Sequence, residues 1–323
     1  MKQKAFPAAL LLSLALALAL LAGIPVSALN AVPGGTSGST LAGASGGAPE
    51  AENLEFETYR GVSMGGVLAA SDPEGDAVTF ELATPPVKGT VDLSPDGHFV
   101  YTPAEGKRGK DYFGYRAVDA GGNRSQEATV IIKILKPKTK VCYADTAGYE
   151  CGRAAVRLAE AEIFTGECLA GRYVFAPERQ VTREEFLVMC LRLAGTGTVD
   201  SLRTTGFSDD ADIAVWAKPY VSAALRDGVI SGLAREGGTL VFDPDRKITV
   251  SEAAVMLDRT LGLTDAAPAW FGYDESVPAW ARQSMANAAA CGILNPPADA
   301  GEELTRGQAA LMLERAMDVL KAR

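Results

Sequence analysis

The stretch Thr182-Arg183-Glu184-Glu185-Phe186-Leu187-Val188-Met189-Cys190 decides how this chain is read, because its pattern returns twice. The counterparts of its first four residues are Thr249-Val250-Ser251-Glu252 and Thr305-Arg306-Gly307-Gln308. Behind the three boxes the same offsets carry Phe186, Met189, Cys190 and Leu193, then Ala253, Met256, Leu257 and Thr260, then Ala309, Met312, Leu313 and Ala316. An i, i+3, i+4, i+7 spacing predicts four small or apolar side chains on one helical face. Thr followed three residues later by Glu or Gln is a capping box that starts such a helix. A unit recurring at a period of roughly sixty residues buries its apolar face against its own copies.

Each copy carries further punctuation upstream of its box. The second opens with Phe207-Ser208-Asp209, and Trp216, Tyr220, Val221, Ala224 and Leu225 then mark one face of a helix. Gly228-Val229-Ile230-Ser231-Gly232 ends that helix, and Phe242-Asp243-Pro244 leads to the Thr249 box. The first copy has Tyr143-Ala144-Asp145, Ile163-Phe164-Thr165-Gly166 and Phe175-Ala176-Pro177; the third has Tyr273-Asp274, Trp280-Ala281 and Gly292-Ile293-Leu294.

Ahead of the repeats the periodicity changes to two. Val78, Phe80 and Leu82 alternate with polar neighbours, as do Thr90 and Asp92, then Phe99 and Tyr101. Tyr112, Phe113 and Tyr115 follow, then Ala128, Val130 and Ile132. Turn signals at Asp72-Pro73-Glu74-Gly75-Asp76, Pro95-Asp96-Gly97 and Asp119-Ala120-Gly121-Gly122-Asn123 separate short strands. This pattern predicts a β-sandwich over residues 53–137. Residues 29–52 are rich in Gly, Ser, Thr, Ala and Pro and read as a flexible linker.

Residues 1–28 read as a secretory signal peptide: Lys2 and Lys4, an apolar run from Ala8 to Ala22, and small residues at Val26-Ser27-Ala28. The run is shorter than the ~20 residues a membrane span needs. No transmembrane segment is therefore expected after cleavage. The net charge of −9 argues against a nucleic-acid partner. An acidic ligand would need local cationic pockets working against that field.

Four of the five cysteines, Cys142, Cys151, Cys168 and Cys190, lie in the first copy. In an exported chain they allow two disulfides, with three connectivities open. Equally, Cys190 fills the slot of Leu257 and Leu313 and reads as a core hydrophobe. No C-x-x-C spacing favours structural zinc, and the lone His98 reads as a surface residue. Asp72, Glu74 and Asp76 place three carboxylates in one turn, either a weak calcium site or ordinary turn residues. No other cofactor is indicated.

Two resemblances attach to these motifs. Leu68 to Phe80, Lys88-Gly89-Thr90-Val91, Asp96 to Pro103 and Gly109 to Tyr115 resemble bacterial immunoglobulin/cadherin-like repeats. The threefold order of boxes and loops resembles the S-layer homology (SLH) domain, with repeats at 141–196, 203–264 and 268–321. Together they imply a multidomain fold: an Ig/cadherin-like β-sandwich followed by an all-α, trimer-like SLH module, a pseudo-threefold helical bundle. The SLH resemblance implies binding to an acidic, pyruvylated secondary cell-wall polysaccharide, with S-layer or other surface proteins as further partners. It also implies a secreted protein held at the bacterial cell wall. By position, the implied sugar-binding residues are Asp145, Arg183, Asp209, Trp216, Gly232, Asp274, Trp280 and Arg306.

Local physics bears on the arginines separately. A capping box accounts for Thr and Glu/Gln, but a cation at the first helical position opposes the helix dipole by about 0.3–1 kcal/mol. Free amides plus a guanidinium fork would suit a carboxylate; a bridge to a neighbour such as Glu178 or Glu302 is the structural alternative. Trp216 and Trp280 would stack on a sugar ring or pack in the core. Val250 replaces the arginine in the second box, Glu150 stands where the other copies have Trp, and Pro296 stands in place of Gly232. One or two working grooves are therefore expected rather than three. No clustered nucleophile, base or carboxylate pair indicates an enzyme. An adhesin or carrier, or a wall-anchored enzyme with an unrecognised active site, are the alternatives.

Overall fold

The computed structural model describes residues 47–198, 204–273 and 275–323. The signal segment 1–28, most of the linker 29–52, and Asp274 lie outside the described residues. The chain divides into two compact units. The first collects residues up to Glu57 with Gly66–Phe99 and Lys110–Lys133; the second takes Thr58–Gly65, Val100–Gly109 and Ile134–Arg323.

Nine strands run from Glu50 to Leu135: β1 (Glu50–Ala51), β2 (Leu54–Tyr59), β3 (Met64–Val67), β4 (Ala70–Ser71), β5 (Thr79–Thr84), β6 (Gly89–Leu93), β7 (His98–Pro103), β8 (Gly109–Val118) and β9 (Ala128–Leu135). They form a four-stranded sheet in the order β2-β9-β8-β5, a three-stranded sheet β3-β7-β6, and a small β1-β4 pair. The first strand thus starts inside the stretch whose composition reads as linker.

Phe99, Phe113, Tyr115, Val130 and Ile132 are fully buried, as their alternation predicts. Phe99 meets Phe56 and Phe113 edge-on, each at 5.3 Å between ring centroids. The Tyr115 hydroxyl donates to the Glu52 and Ala69 carbonyls. Leu82 departs from the expected pattern: it is exposed, because β5 is the outermost strand of its sheet. The turn acids do not gather round a cation. Asp72 Oδ1 accepts from the Glu74 and Asp76 amides at 3.0 and 3.1 Å. Among the described residues no acidic, Cys or His cluster suits a metal.

Among the described residues the second unit holds six α-helices: α1 (Gly152–Glu160), α2 (Arg183–Leu193), α3 (Lys218–Arg226), α4 (Val250–Leu261), α5 (Ala279–Ala290) and α6 (Arg306–Ala322). All three boxes cap as expected: Thr182, Thr249 and Thr305 each accept from the amide three residues on, and the Glu or Gln there returns the bond. The unit is not purely helical. Short hairpins, β10 (Glu167–Leu169) with β11 (Arg172–Val174) and β12 (Leu233–Ala234) with β13 (Leu240–Val241), fill the loops ahead of the first two boxes.

Sequence repeat and packing unit are out of step. Each box helix packs on the first helix of the next copy: α2 on α3, α4 on α5, and α6 back on α1. The main chain closes the same ring. Val181 N–H donates to the Leu304 carbonyl (2.9 Å), Leu304 to Ile248 (3.0 Å) and Ile248 to Val181 (3.1 Å). Around this triangle α2 packs on both α4 and α6. Phe186, Leu187, Cys190, Leu257 and Leu313 are fully buried there, the larger ones contributing about 1.5–3 kcal/mol each. All five cysteines are free thiols, and Cys190 sits wholly in the core as the slot it shares with Leu257 and Leu313 implies.

Candidate functional site: two clefts built from three copies

The helix starts do not keep free amides, contrary to the expectation from the boxes. Arg183 and Glu184 amides donate to the Arg246 and Pro244 carbonyls, at 2.8 and 3.1 Å. Val250 and Ser251 donate likewise to Glu302 and Ala300, and Arg306 and Gly307 to Arg179 and Pro177. The loop before each following box supplies the acceptors, so these donors serve the ring rather than a ligand.

The two box arginines are buried, and each is braced by a loop carbonyl, a box glutamate and an aromatic ring. Arg183, 6% exposed, donates from Nε to the Phe242 carbonyl at 3.0 Å and from Nη1 to Glu252 at 3.4 Å. Its guanidinium lies 5.4 Å from the Phe242 ring centre. Burial pushes its pKa down from the ordinary value, and the Glu252 charge opposes that shift; a guanidinium stays charged throughout. Arg306, 4% exposed, donates from Nη1 to the Phe175 carbonyl at 3.1 Å and from Nη2 to Glu167 and Glu185 at 3.2 and 3.4 Å. Its guanidinium lies 5.1 Å from the Phe164 ring, and its buried Nε has no partner among the described residues. The bridging acids are thus the box glutamates of the following copy, with Glu167, and not Glu178 or Glu302.

An open cleft lies beside each arginine. The first, about 280 Å³, is lined by Arg183 of one copy, the Val229–Leu233 loop including Gly232 of the next, and Trp280 of the third. The second, about 310 Å³, brings together Arg306, the Ile163–Glu167 loop including Gly166, and Trp216. Both tryptophans are exposed, 53% and 59%, so they are not core residues. Gly166 and Gly232 both have positive φ, +66° and +78°. A Cβ on Gly166 would stand 2.4 Å from the Val174 carbonyl, and one on Gly232 would stand 2.6 Å from Phe207.

Four expected residues therefore line these clefts with Gly232: Arg183 and Trp280 in one, Arg306 and Trp216 in the other. Asp145 and Asp209 line neither. Asp145 accepts from the Phe175 and Ala176 amides, Asp209 from those of Phe242 and Asp243, with Ala176 and Asp243 in the left-handed region. They hold the turn whose carbonyl receives the box arginine. Asp274 lies outside the described residues. Applied to the remaining face, the same rotation assigns Val250, Pro296 and Glu150, the three departures, to one position.

Residues missed by the sequence reading also line the clefts. Glu252 and Arg259 belong to the first; Glu167, Arg179, Glu185 and Arg192 belong to the second. Arg192, Arg259 and Arg315 each stand ten residues after a box threonine, a recurrence that was available in the sequence.

Comparison with known proteins separates the two units. The bacterial cadherin-like domain matches residues 46–136, which form such a domain. The chain is 32% identical over 167 residues to the surface-layer 125 kDa protein of Lysinibacillus sphaericus, covering 46% of this chain and 13% of that protein. It is 28% identical over 143 residues to an amylopullulanase of Thermoanaerobacterium thermosulfurigenes, covering 40% of this chain and 7% of that protein. The chain thus spans a small part of either relative. Among solved structures, an endo-fucoidan hydrolase of glycoside hydrolase family 107 resembles 30% of this chain and 14% of its own, at TM-score 0.23 and 18% identity. No helix among the described residues is long and apolar enough to cross a membrane.

Proposed function

We propose that this is a non-catalytic protein of a bacterial cell surface, whose helical unit is an SLH-type module docking on acidic wall polysaccharide. The cadherin-like domain is then the spacer or adhesive part that the module holds at the envelope. One observation carries this reading: each cleft takes a cation from one copy, a glycine-containing loop from the next and an exposed tryptophan from the third. An exposed indole beside a charged, hydrogen-bonding wall suits a sugar ring bearing an acid group. The likeness to a surface-layer protein supports a place at the cell surface.

The test is retention of the full chain on purified bacterial walls before and after chemical removal of the wall polysaccharide. Retention should vanish with the polymer. It should fall at least about tenfold when Trp216→Ala and Trp280→Ala are combined, the loss of roughly 1.4 kcal/mol of contact. Undiminished retention on stripped walls would refute the polysaccharide as ligand.

A further inference from the structure

Both clefts contain one cation in excess of their acids. The charged groups lining the first are Arg183, Glu252 and Arg259; those lining the second are Glu167, Arg179, Glu185, Arg192 and Arg306. Ion pairs account for most of them. Arg183 pairs with Glu252, while Arg179 and Arg306 share Glu167 and Glu185. The remaining cations are Arg259 and Arg192, at the same offset in their copies.

Neither makes an ion pair among the described residues. Arg259 donates to the Val229 carbonyl at 3.4 Å. Arg192 donates to the Tyr220 hydroxyl at 3.3 Å and the Ile163 carbonyl at 3.4 Å, with its guanidinium 5.5 Å from the Tyr220 ring. Both side chains are exposed, and a guanidinium has five donors. Most of that fork is uncommitted. The buried box arginines differ. A ligand carboxylate reaching Arg183 would have to enter beside Glu252, which Arg183 shares with Arg246 (3.4 and 2.5 Å), and reach a guanidinium only 6% exposed and already bonded to the Phe242 carbonyl, so the exchange gains little.

The counterpart at the same offset in the third copy, Arg315, also makes no ion pair among the described residues, but it is less exposed. Arg315, partly buried, donates to the Ile293 carbonyl and Asn295, and Glu314 and Glu150 act on its charge.

We propose that Arg192 and Arg259 supply the charge that recognises the carboxylate of the wall sugar, while Arg183 and Arg306 brace the cleft walls. This deepens the polysaccharide reading and rests on it. The box residue at the awkward helix start is then a strut. The recognition residue lies two to three turns further along the same helix.

The experiment titrates the full chain calorimetrically with two methyl glycosides of one N-acetylhexosamine, one bearing a 4,6-linked pyruvate acetal and one neutral. Wild type should bind two equivalents of the acidic probe, and more weakly the neutral one. Arg192→Gln and Arg259→Gln should each leave one equivalent of the acidic probe at full strength and weaken the other. Together they should weaken the acidic probe at least about tenfold, the scale of a charge-assisted hydrogen bond, and leave the neutral probe and the thermal melt unchanged. Two full-strength equivalents in both single variants would overturn the proposal with the sugar reading intact. Equal affinity of wild type for both probes would also overturn it. Binding of neither probe by wild type would bring down the sugar reading and this inference with it. Should the double variant unfold, the single variants decide by stoichiometry.

Discussion

Arg306 Nη1 donates to the Phe175 carbonyl at 3.1 Å across 131 positions of the chain, joining the third box to the loop of the first copy. Arg183 makes the matching bond to Phe242 at 3.0 Å, across 59 positions. One device therefore serves a forward step and the step that closes the ring, and the turns receiving these bonds are organised by Asp145 and Asp209.

Those aspartates should then govern stability more than affinity. Asp209→Ala leaves the Phe242 and Asp243 amides without their acceptor and should cost about 1–3 kcal/mol. Asp145→Ala should behave alike through Phe175 and Ala176. Urea denaturation measures the loss; wall retention per folded molecule should stay unchanged. A tenfold affinity loss at unaltered stability would move the aspartates into the ligand site.

Gly166 and Gly228 offer a paired test of the cleft loop. Both have positive φ, but only at Gly166 would an added Cβ meet backbone, the Val174 carbonyl at 2.4 Å. Gly228→Ala should cost about 1–2 kcal/mol from its backbone conformation alone, and Gly166→Ala distinctly more. Equal losses in thermal melts would contradict the tight contact beneath the second cleft.

Acid should loosen the second copy at one identifiable pair. The Lys218 ammonium, 2.6 Å from Asp210, with the Thr205 amide and hydroxyl, lowers the Asp210 carboxyl from 3.8 to about 2. A depressed folded-state pKa contributes stability that is complete above pH about 4 and is lost as pH falls towards 2. Lys218→Met should flatten that part of the stability–pH curve, measured by denaturant midpoints between pH 2 and 5. An unchanged slope would deny the pair its role.

Thiol reactivity should divide by depth. Burial pushes Cys151 up to about 12 and Cys190 upward further, whereas Cys142 and Cys168 are exposed. Native labelling with iodoacetamide near pH 8, read by mass spectrometry, should modify Cys142 and Cys168 and reach Cys151 and Cys190 only after denaturation. Early labelling of Cys190 would mean that the helical core opens more readily than its packing implies.

The capped, amphipathic box helices were legible because a capping box and an apolar stripe are local properties, and Phe186, Met256 and Leu313 occupy the expected face. The alternation at Phe99, Phe113, Tyr115 and Val130 likewise announced the sandwich core. What the sequence withheld is non-local. No spacing says that the Arg183 amide goes to Arg246, or that α6 returns to α1, since those partners are set by closure. The role of Asp145 and Asp209 was hidden for the same reason, because their amide partners lie 30–34 positions away. Arg192 and Arg259 were visible by recurrence. They fall off the apolar stripe, which is where a rim residue must fall, so the stripe does not mark them.

The triangle of main-chain bonds through Val181, Ile248 and Leu304 has a consequence for descent. A closed triangle offers no terminus to which unequal crossing-over can append a fourth segment, and loss of one member strands a donor on one of the others and an acceptor on the other. Copy number is thereby held while each copy drifts in place. Val250, Pro296 and Glu150, one from each copy, depart from the pattern on a single face, while the main-chain framework is kept at all three vertices.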